Sequence, residues 1–339
     1  MSASSPLPAE TTMPSGPWLL VVGMHRSGTS ALTGALGQLG MAVPAAADRY
    51  EYYGPAEGNP EHWESRAMGL HDQALLGRRG GTWEGPPDPA TLAEPDLEST
   101  FGDLGDPAVP ARVAFPDDGP VAWKDPRTCL LLPYWLAHLP RPVAAVFIWR
   151  SPLSVAHSLR TRDGMSLADG VALWERYNRS GLTGLVGVDT YVTKYESIVA
   201  DAPGAVGAIA TWLGALPQFA PHAAGWDIEA AAASIDPLLD RHRGSGGSEI
   251  LLKEQCQLQR HLEALDGHHL PLASPPPGTE SPWTTAVLRH RRHIASRATE
   301  LDALHELYEE MRASTSWRVT RPLRQVAALK DRRGGAPSV

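Results

Sequence analysis

The fold is decided by residues 18–40, WLLVVGMHRSGTSALTGALGQLG. The continuous apolar run Trp18 to Val22 predicts a strand buried on both faces, as in the interior of a parallel sheet. After a polar turn, apolar residues recur at a spacing of three to four as far as Leu39, which predicts a helix. This order of strand, loop and helix aims backbone N–H groups and the positive end of the helix dipole at one point, where an anion binds well.

The loop resembles the Walker A motif, with one replacement that changes its chemistry. Gly23 and Gly28 have the spacing of that motif, and Ser30 occupies the position of its hydroxyl residue. Thr29 stands where the motif has lysine, and the cation inside the loop is Arg26. Because a nucleoside triphosphatase needs that lysine and a bound Mg²⁺, the loop favours an oxyanion with less charge to neutralise. A strand-to-helix turn without any ligand is the alternative.

Composition restricts the class of protein. The chain has 339 residues, of which 42% are hydrophobic and 20% charged, values typical of a globular protein with one large domain or one domain plus an extension. The net charge of −8 argues against a nucleic-acid partner, which would need a basic face. Two cysteines supply neither a disulfide framework nor a metal-binding cluster. With no signal peptide or membrane span in the pattern, we expect a cytoplasmic protein.

The alternation of apolar runs predicts the architecture. Three further strands are expected, each followed by a helical pattern, at residues 120–123, 142–149 and 190–195. This order predicts an α/β domain built on a P-loop-like, doubly wound parallel sheet flanked by helices. We expect the domain to span residues 17–272, after a disordered N-terminus at 1–16. Residues 273–339 are predicted to form a linker, an amphipathic helix and a basic tail, that is, a helical C-terminal extension.

Cations stand at the ends of the second and third predicted strands. Lys124 follows the second strand, Arg150 follows the third, and Ser158 lies eight residues beyond Arg150. Ligands of open α/β sheets lie off the carboxyl ends of the strands, so we expect Lys124 to face the same crevice as the loop after the first strand. An arginine and a hydroxyl can bind a second phosphate there. A nucleoside triphosphatase would place an acid for Mg²⁺ where Arg150 stands, so no metal is predicted.

Two residues ahead of a helical pattern are candidates for proton transfer. The pattern follows Asn59-Pro60, a reasonable helix start, and places Glu61 and Glu64 in the first turn. His62 and Glu64 are the candidates. From the residues alone, a simpler interpretation is favoured, in which Glu64 is a first-turn acid that suits the helix dipole and His62 lies on the surface.

Glycine-rich and proline-rich stretches predict loops around the crevice. Residues 41–59 form one such loop, and residues 80–118, which include Trp83, are predicted to be a long irregular insertion. Residues 241–247, RHRGSGG, form a basic loop suited to closing over a phosphate through Arg243, although a flexible linker is an equal alternative.

Four segments together resemble the sulfotransferases that use 3′-phosphoadenosine 5′-phosphosulfate (PAPS). GMHRSGTSAL, residues 23–32, is similar to the family's 5′-phosphosulfate loop, and FIWRSPLSVAHSLRTRDG, residues 147–164, to its 3′-phosphate motif. WKDPRTCLLLP, residues 123–133, resembles the central lysine strand, and TKYESIVADAP, residues 193–203, a later Tyr-Glu segment. The resemblance covers about residues 18–214.

The resemblance implies a cofactor-binding set and the cofactor PAPS, which leaves 3′-phosphoadenosine 5′-phosphate as product. The 5′-phosphate would be held by backbone groups from His25 to Ser30, with the hydroxyls of Thr29 and Ser30. That stretch is His25, Arg26, Ser27, Gly28, Thr29 and Ser30. Arg150 and Ser158 would hold the 3′-phosphate, and Tyr195 would lie near the adenine. No metal is implied.

The resemblance also implies catalytic roles. Glu64 would be the base, with His62 as the alternative, Lys124 would contact the transferring sulfuryl group, and Arg26 would lie beside the phosphosulfate. Pro126 follows Lys124-Asp125, so the histidine base that the small-molecule branch of the family carries on this strand is missing. This departure favours the carbohydrate-type branch and an acceptor hydroxyl on a glycan or glycosylated molecule, lipid-linked acceptors included.

The C-terminal tail carries a second resemblance. STSWRVTRPLR, residues 314–324, is similar to a terminal segment of bacterial glycosyltransferases and other surface-polysaccharide enzymes. It favours a glycan acceptor handled near a membrane. The basic tail suits a peripheral contact with an anionic membrane, and a solvated end is the equal alternative. For the whole chain, the alternatives to a sulfotransferase are a nucleotide-dependent kinase on the same fold and a non-catalytic partner in glycan assembly.

Overall fold

The protein, in a computed structural model, is described over residues 12–50, 63–92, 104–236 and 251–320. Within these ranges the centre is a four-stranded, all-parallel sheet. The strands are β1 (Trp18–Val22), β2 (Val121–Lys124), β3 (Val143–Trp149) and β4 (Asp189–Lys194), in the spatial order β2-β1-β3-β4. The four predicted strands are confirmed.

Strand β1 lies at the middle of two cores. All five of its residues are buried, with Leu20 in the core on one face of the sheet and Leu19 in the core on the other. It pairs in parallel with β2, where Val21 is opposite Lys124, and with β3, where Val22 is opposite Phe147. The predicted burial of this strand on both faces is therefore confirmed, and its neighbours in space are known.

Helices cover both faces of the sheet. Their bounds are α1 (Thr29–Leu39), α2 (Arg66–Arg78), α3 (Pro89–Leu92), α4 (Ala108–Ala114), α5 (Thr128–His138), α6 (Pro152–Asp163), α7 (Leu167–Gly184), α8 (Tyr195–Ala200), α9 (Ala202–Ala215), α10 (Ile228–Ala233), α11 (Lys253–Ala264), α12 (Pro282–Ala313) and α13 (Thr315–Val319). Helices α1, α8, α9 and α10 contribute to the core that holds Leu19, and α2, α4, α5, α7, α11 and α12 to the core that holds Leu20. The α/β class, with helices flanking a parallel sheet, is confirmed.

The helix that follows Glu64 begins later than predicted. Its N-cap is Ser65, whose hydroxyl accepts a hydrogen bond of 3.0 Å from the backbone N–H of Met68. The Asp48 carboxylate accepts a further bond of 3.1 Å from the N–H of Ala67. These two side chains accept hydrogen bonds from backbone N–H groups of the first turn, which have no partner within the helix. The interpretation of Glu64 as a first-turn acid is therefore wrong, because Glu64 precedes the cap.

Two other boundaries differ from the sequence pattern. Helix α8 begins at Tyr195, which the sequence pattern assigned to the end of the fourth strand. The predicted irregular insertion contains the regular helix α4, whose alanines pack into the core. In both places local pattern is overruled by burial against the sheet. Predictions for residues 1–11, 51–62, 93–103, 237–250 and 321–339 lie outside the described residues. They include the first part of the N-terminus, His62 and Arg243.

The long helix α12 has two different halves. Its start is tied to α7 by the buried carboxylate of Glu175, which accepts bonds from the N–H of Ser281 (3.0 Å) and the hydroxyl of Thr284 (2.7 Å). Its second half is helical, as predicted for residues 301–311, but the apolar side chains there are exposed: Leu301, Leu304, Leu307, Tyr308 and Met311. This segment therefore does not pack back on the described part of the body, and the boundary at residue 272 stays a prediction.

None of the described helices combines the length and the apolar composition that a membrane crossing requires.

We predict that Thr284→Val destabilises the attachment of α12. The variant leaves one oxygen of the buried Glu175 carboxylate without its hydroxyl donor, which should lower the free energy of unfolding by about 1.5 to 3 kcal/mol. Urea unfolding measures the change. Thr211→Val is the matched control, because that hydroxyl donates to a backbone carbonyl on an exposed helix face. Equal effects of the two variants would contradict the anchoring role of Glu175.

Candidate functional site

The strand order defines a crevice between β1 and β3. The chain leaves β1 toward β2 on one side and leaves β3 toward β4 on the other, so the connections diverge at this point. Ligands of open parallel sheets bind at such a point, outside the carboxyl ends of the strands. The loop after β1 touches β3 closely, because a Cβ added to Gly23 would lie 2.3 Å from the carbonyl oxygen of Ile148. Only glycine allows this approach.

The start of α1 is open to an anion. Gly28 is its N-cap at φ 89°, and it provides no side-chain cap. The aromatic ring of Tyr195 lies against it, since a Cβ on Gly28 would fall 2.0 Å from Tyr195 Cδ2. The hydroxyl of Ser27 is buried without a hydrogen-bond partner among the described residues, and Thr29 is buried beside it. A buried hydroxyl left without a partner costs about 1 to 3 kcal/mol, so a bound oxyanion would relieve a cost.

Arg26 links the loop to the segment after β3. Its backbone is left-handed, at φ 67°, and its Nε donates to the hydroxyl of Ser158 at 2.8 Å. Arg150 Nη1 donates in turn to the carbonyl oxygen of Arg26 at 3.3 Å. The resemblance assigned Arg26 and Ser158 to different phosphates of one nucleotide, and the structure joins them although 132 residues separate them.

Arg150 is held from two sides. Its guanidinium carbon lies 4.9 Å from the centre of the Tyr195 ring, within cation–π distance. Its carbonyl oxygen accepts a bond of 2.9 Å from the indole N–H of the buried Trp174. Arg150, Ser158 and Tyr195 are all buried. The predicted 3′-phosphate residues and the predicted adenine neighbour therefore form one compact group with the loop.

Lys124 and Glu64 form an ion pair on the other side of β1. Lys124 is the last residue of β2, its side chain is 1% exposed, and its Nζ contacts Glu64 Oε1. The Glu64 side chain is 14% exposed. The backbone carbonyl oxygen of Glu64 accepts a hydrogen bond of 3.3 Å from the backbone N–H of Tyr50. Burial removes both charges from water, and their mutual attraction compensates for that loss only while the two groups stay in contact. Two residues predicted for catalysis are thus in contact.

A second charged pair, Asp125 with Arg127, follows Lys124 in the chain, and the sequence did not assign it a role. Arg127 Nε and Nη2 donate to the two oxygens of Asp125, at 2.8 and 2.6 Å. Burial lowers the pKa of Arg127, but the charge and hydrogen bonds of Asp125, together with Asp72 and Tyr50, raise it overall, so Arg127 keeps its charge. Arg127 lies against α2, because a Cβ on Gly69 would be 2.6 Å from its Nη2. The spacing Asp-Pro-Arg after Lys124 was the available signal.

The buried Asp72 also escaped sequence reasoning, because it lies within an ordinary helical pattern. Its Oδ1 accepts a bond of 2.7 Å from the indole N–H of Trp135. Burial raises the pKa of Asp72 well above its ordinary value of 3.8, the Asp125 charge raises it further, and the Arg127 charge opposes them. The neighbouring carboxylate Asp125 already holds the cation, so Asp72 is favoured in its protonated form.

The side chain of His25, in the loop after β1, packs against aromatic side chains from other segments. Its ring centroid is 4.5 Å from that of Trp83 and 5.9 Å from that of Tyr177. Burial lowers the pKa of His25 well below 6.5, and the charge of Arg162 lowers it further. The ring is therefore neutral at physiological pH. The sequence predicted a role only for the backbone of His25. Its side-chain contact with Trp83 joins segments that are far apart in the chain, so the sequence pattern could not reveal it.

Comparison of the sequence with models of known protein families, and with curated proteins, finds no match.

We predict that Asp72→Asn becomes more favourable as pH rises. Asp72 has a pKa raised by folding, so its contribution to stability is complete below about pH 3.8 and is lost as pH rises through the raised value. Asparagine cannot ionise and still accepts a bond from Trp135. The free energy of unfolding of the variant, relative to the wild type, should therefore increase between about pH 4 and about pH 8. A difference independent of pH would contradict the assignment, and the exposed Asp117→Asn is the control.

Proposed function

We propose that this protein is a PAPS-dependent sulfotransferase with a P-loop-like fold, which transfers a sulfuryl group to a hydroxyl of a carbohydrate or glycosylated acceptor. One observation carries the proposal. Arg26, Arg150, Ser158 and Tyr195, which the family resemblance assigns to a single nucleotide, converge at the β1–β3 crevice. The Lys124–Glu64 pair lies at the end of the adjacent strand β2.

The nucleotide would occupy the two anion-binding parts of the crevice. The backbone of residues 25–30 and the hydroxyls of Ser27, Thr29 and Ser30 suit the 5′-phosphate, and Arg150 and Ser158 suit the 3′-phosphate. A phosphate beside Ser158 would replace the bond between Arg26 and Ser158 with charge-assisted bonds, which are stronger. Arg26 would then be available to the 5′ side. Tyr195 would flank the adenine while it keeps its contact with Arg150.

The ion pair suggests how proton transfer and charge stabilisation are linked. PAPS supplies an activated sulfuryl group. Glu64, ionised beside Lys124, accepts the proton of the acceptor hydroxyl as that oxygen bonds to sulfur. Neutral Glu64 would attract Lys124 less strongly, so the ammonium group of Lys124 could stabilise the negative charge on the leaving phosphate of a bound PAPS. The pair thus acts in both halves of one displacement.

A nucleotide-dependent kinase is the rival within enzymes. A kinase of this fold would use a lysine at position 29 and an acid at a strand end to hold Mg²⁺ with the phosphates. This chain has Thr29 and the cation Arg150 instead. Titration calorimetry with adenosine 3′,5′-bisphosphate, compared with ATP and Mg²⁺, separates the two proposals. Preference for ATP and Mg²⁺ would reject the sulfotransferase.

The proposal includes a glycan acceptor and a peripheral contact with a membrane. Both are supported by the resemblance of residues 314–324, and the glycan acceptor also by the missing histidine after Lys124. A non-catalytic role in glycan assembly would gain if the protein bound PAPS but transferred sulfate to none of a broad set of glycosides.

We predict that Arg150→Ala weakens the affinity for adenosine 3′,5′-bisphosphate by about 10-fold to 100-fold, the value of a charge-assisted bond to a phosphate. The affinity for adenosine 5′-phosphate should change much less, because that ligand lacks the 3′-phosphate. Calorimetry measures both. Arg289→Ala is the control, since this arginine is exposed on α12. Unchanged affinity for the bisphosphate in Arg150→Ala would show that the 3′-phosphate binds elsewhere.

We predict that Glu64→Gln lowers turnover by about 10²-fold to 10⁴-fold, the usual contribution of a general base. Glutamine retains an oxygen for Lys124 but does not accept the proton. The measurement is transfer of radioactive sulfate from PAPS to glycosides, with bisphosphate affinity determined in parallel to verify the fold. Glu229→Gln, on an exposed position of α10, is the matched control. Wild-type turnover in Glu64→Gln would exclude Glu64 as the base.

A further inference from the structure

The side chains of His25 and Trp83 form a wall that the nucleotide assignment does not use. The guanidinium of the next residue, Arg26, donates to Ser158. The imidazole instead packs against Trp83 and Tyr177. The left-handed backbone at Arg26 reverses the chain here, so consecutive side chains serve two different regions.

The segment that carries Trp83 is held firmly. The Tyr177 hydroxyl donates to the carbonyl oxygen of Trp83 at 2.8 Å. The buried Arg176 donates to the carbonyl oxygen of Pro87. From α12, Arg291 and Arg292 donate to the carbonyl oxygens of residues 84 and 86, each at 3.1 Å. The backbone of the segment around Trp83 is therefore held in one position by hydrogen bonds from helices α7 and α12.

Gly85 allows this segment to approach α12 closely. A Cβ at Gly85 would lie 2.7 Å from the Cα of Arg292, so the segment touches the backbone of α12. Arg162 also contacts this residue, with its guanidinium carbon 5.5 Å from the centre of the Trp83 ring. Trp83 is thus in contact with His25, Tyr177 and Arg162 and stays partly exposed.

His25 presents a polar atom to this region. Its Nε2 is buried and has no hydrogen-bond partner among the described residues. A buried polar atom normally has a partner, and a bound hydroxyl group would supply one. The ring is neutral, so it can exchange a hydrogen bond with a hydroxyl without adding a charge to the site. The charges that act on it come from three directions: Arg162 on α6, Arg127 and Lys124 at the end of β2, and Glu64 before α2.

We propose that His25 and Trp83 form the acceptor subsite, in which His25 Nε2 hydrogen-bonds a hydroxyl next to the one that is sulfated. The inference rests on the proposed function, since it concerns the acceptor of that reaction. Glu64 acts on one hydroxyl and His25 on another, so the acceptor must carry at least two hydroxyl groups close together. The ligand class is therefore a polyhydroxylated ring such as a pyranose, whose apolar C–H edges also suit the indole of Trp83.

The test uses the full chain with adenosine 3′,5′-bisphosphate bound. Methyl glycosides of glucose, galactose, mannose and rhamnose are titrated while the ¹⁵N resonances of labelled histidine are followed. We expect at least one glycoside to move the His25 Nε2 resonance. Its affinity, measured by titration calorimetry because the variants lack this resonance, should be about 10-fold weaker in His25→Ala and partly restored in His25→Gln. His222→Ala is the control, because His222 lies by the far end of α1. If no glycoside moves the resonance, or if His25→Ala binds glycosides like the wild type, the proposal is wrong.

Two further measurements distinguish a failure of the acceptor subsite from a failure of the proposed sulfotransferase function. Bisphosphate affinity is measured in parallel for His25→Ala, so that a loss of nucleotide binding is distinguished from a loss of glycoside binding. Failure of the wild type to bind the bisphosphate would reject the proposed function instead. In addition, Arg162→Gln should raise the pKa of His25, measured by the same ¹⁵N titration, whereas Arg289→Gln should not. An unchanged His25 pKa in Arg162→Gln would contradict the placement of Arg162 close to His25.

Discussion

The parallel pairing of β1 with both β2 and β3 is the constraint on which the rest of the structure depends. Because Val21 lies opposite Lys124 and Val22 opposite Phe147, three loops leave the sheet at the same edge. The loop after β1, the ion pair at the end of β2 and the arginine after β3 are neighbours for that reason alone. A shift of one residue in either register would turn every inward side chain of that strand to the other core, so the two cores lock the site in place.

Charge is distributed unevenly around this edge. Toward β3 lie the cations Arg26 and Arg150 with hydroxyls and backbone N–H groups, an environment for anions. Toward β2, the cations are matched by acids, as in Lys124 with Glu64 and Arg127 with Asp125. The first region is suited to binding a nucleotide and the second to moving a proton. This division is the one that the proposed displacement between a bound donor and a hydroxyl would need.

The sequence predicted the elements far better than their contacts. Trp18 to Val22 was recognisable as a buried strand because the apolar run has no alternation, and Arg150 because it follows a second such run. The start of α2 was misplaced because the cap depends on Ser65 and on Asp48, 17 residues earlier. The packing of His25 on Trp83 and the burial of Asp72 were invisible, since both arise only when distant helices meet on the sheet.

A crystal structure of the complex with adenosine 3′,5′-bisphosphate tests the central claim most directly. We expect the 3′-phosphate within hydrogen-bond distance of Arg150 and Ser158, the 5′-phosphate on the N–H groups of residues 25–30, and the bond between Arg26 and Ser158 broken. A nucleotide bound outside the β1–β3 crevice, or one bound there with its 3′-phosphate away from Arg150, would contradict the account.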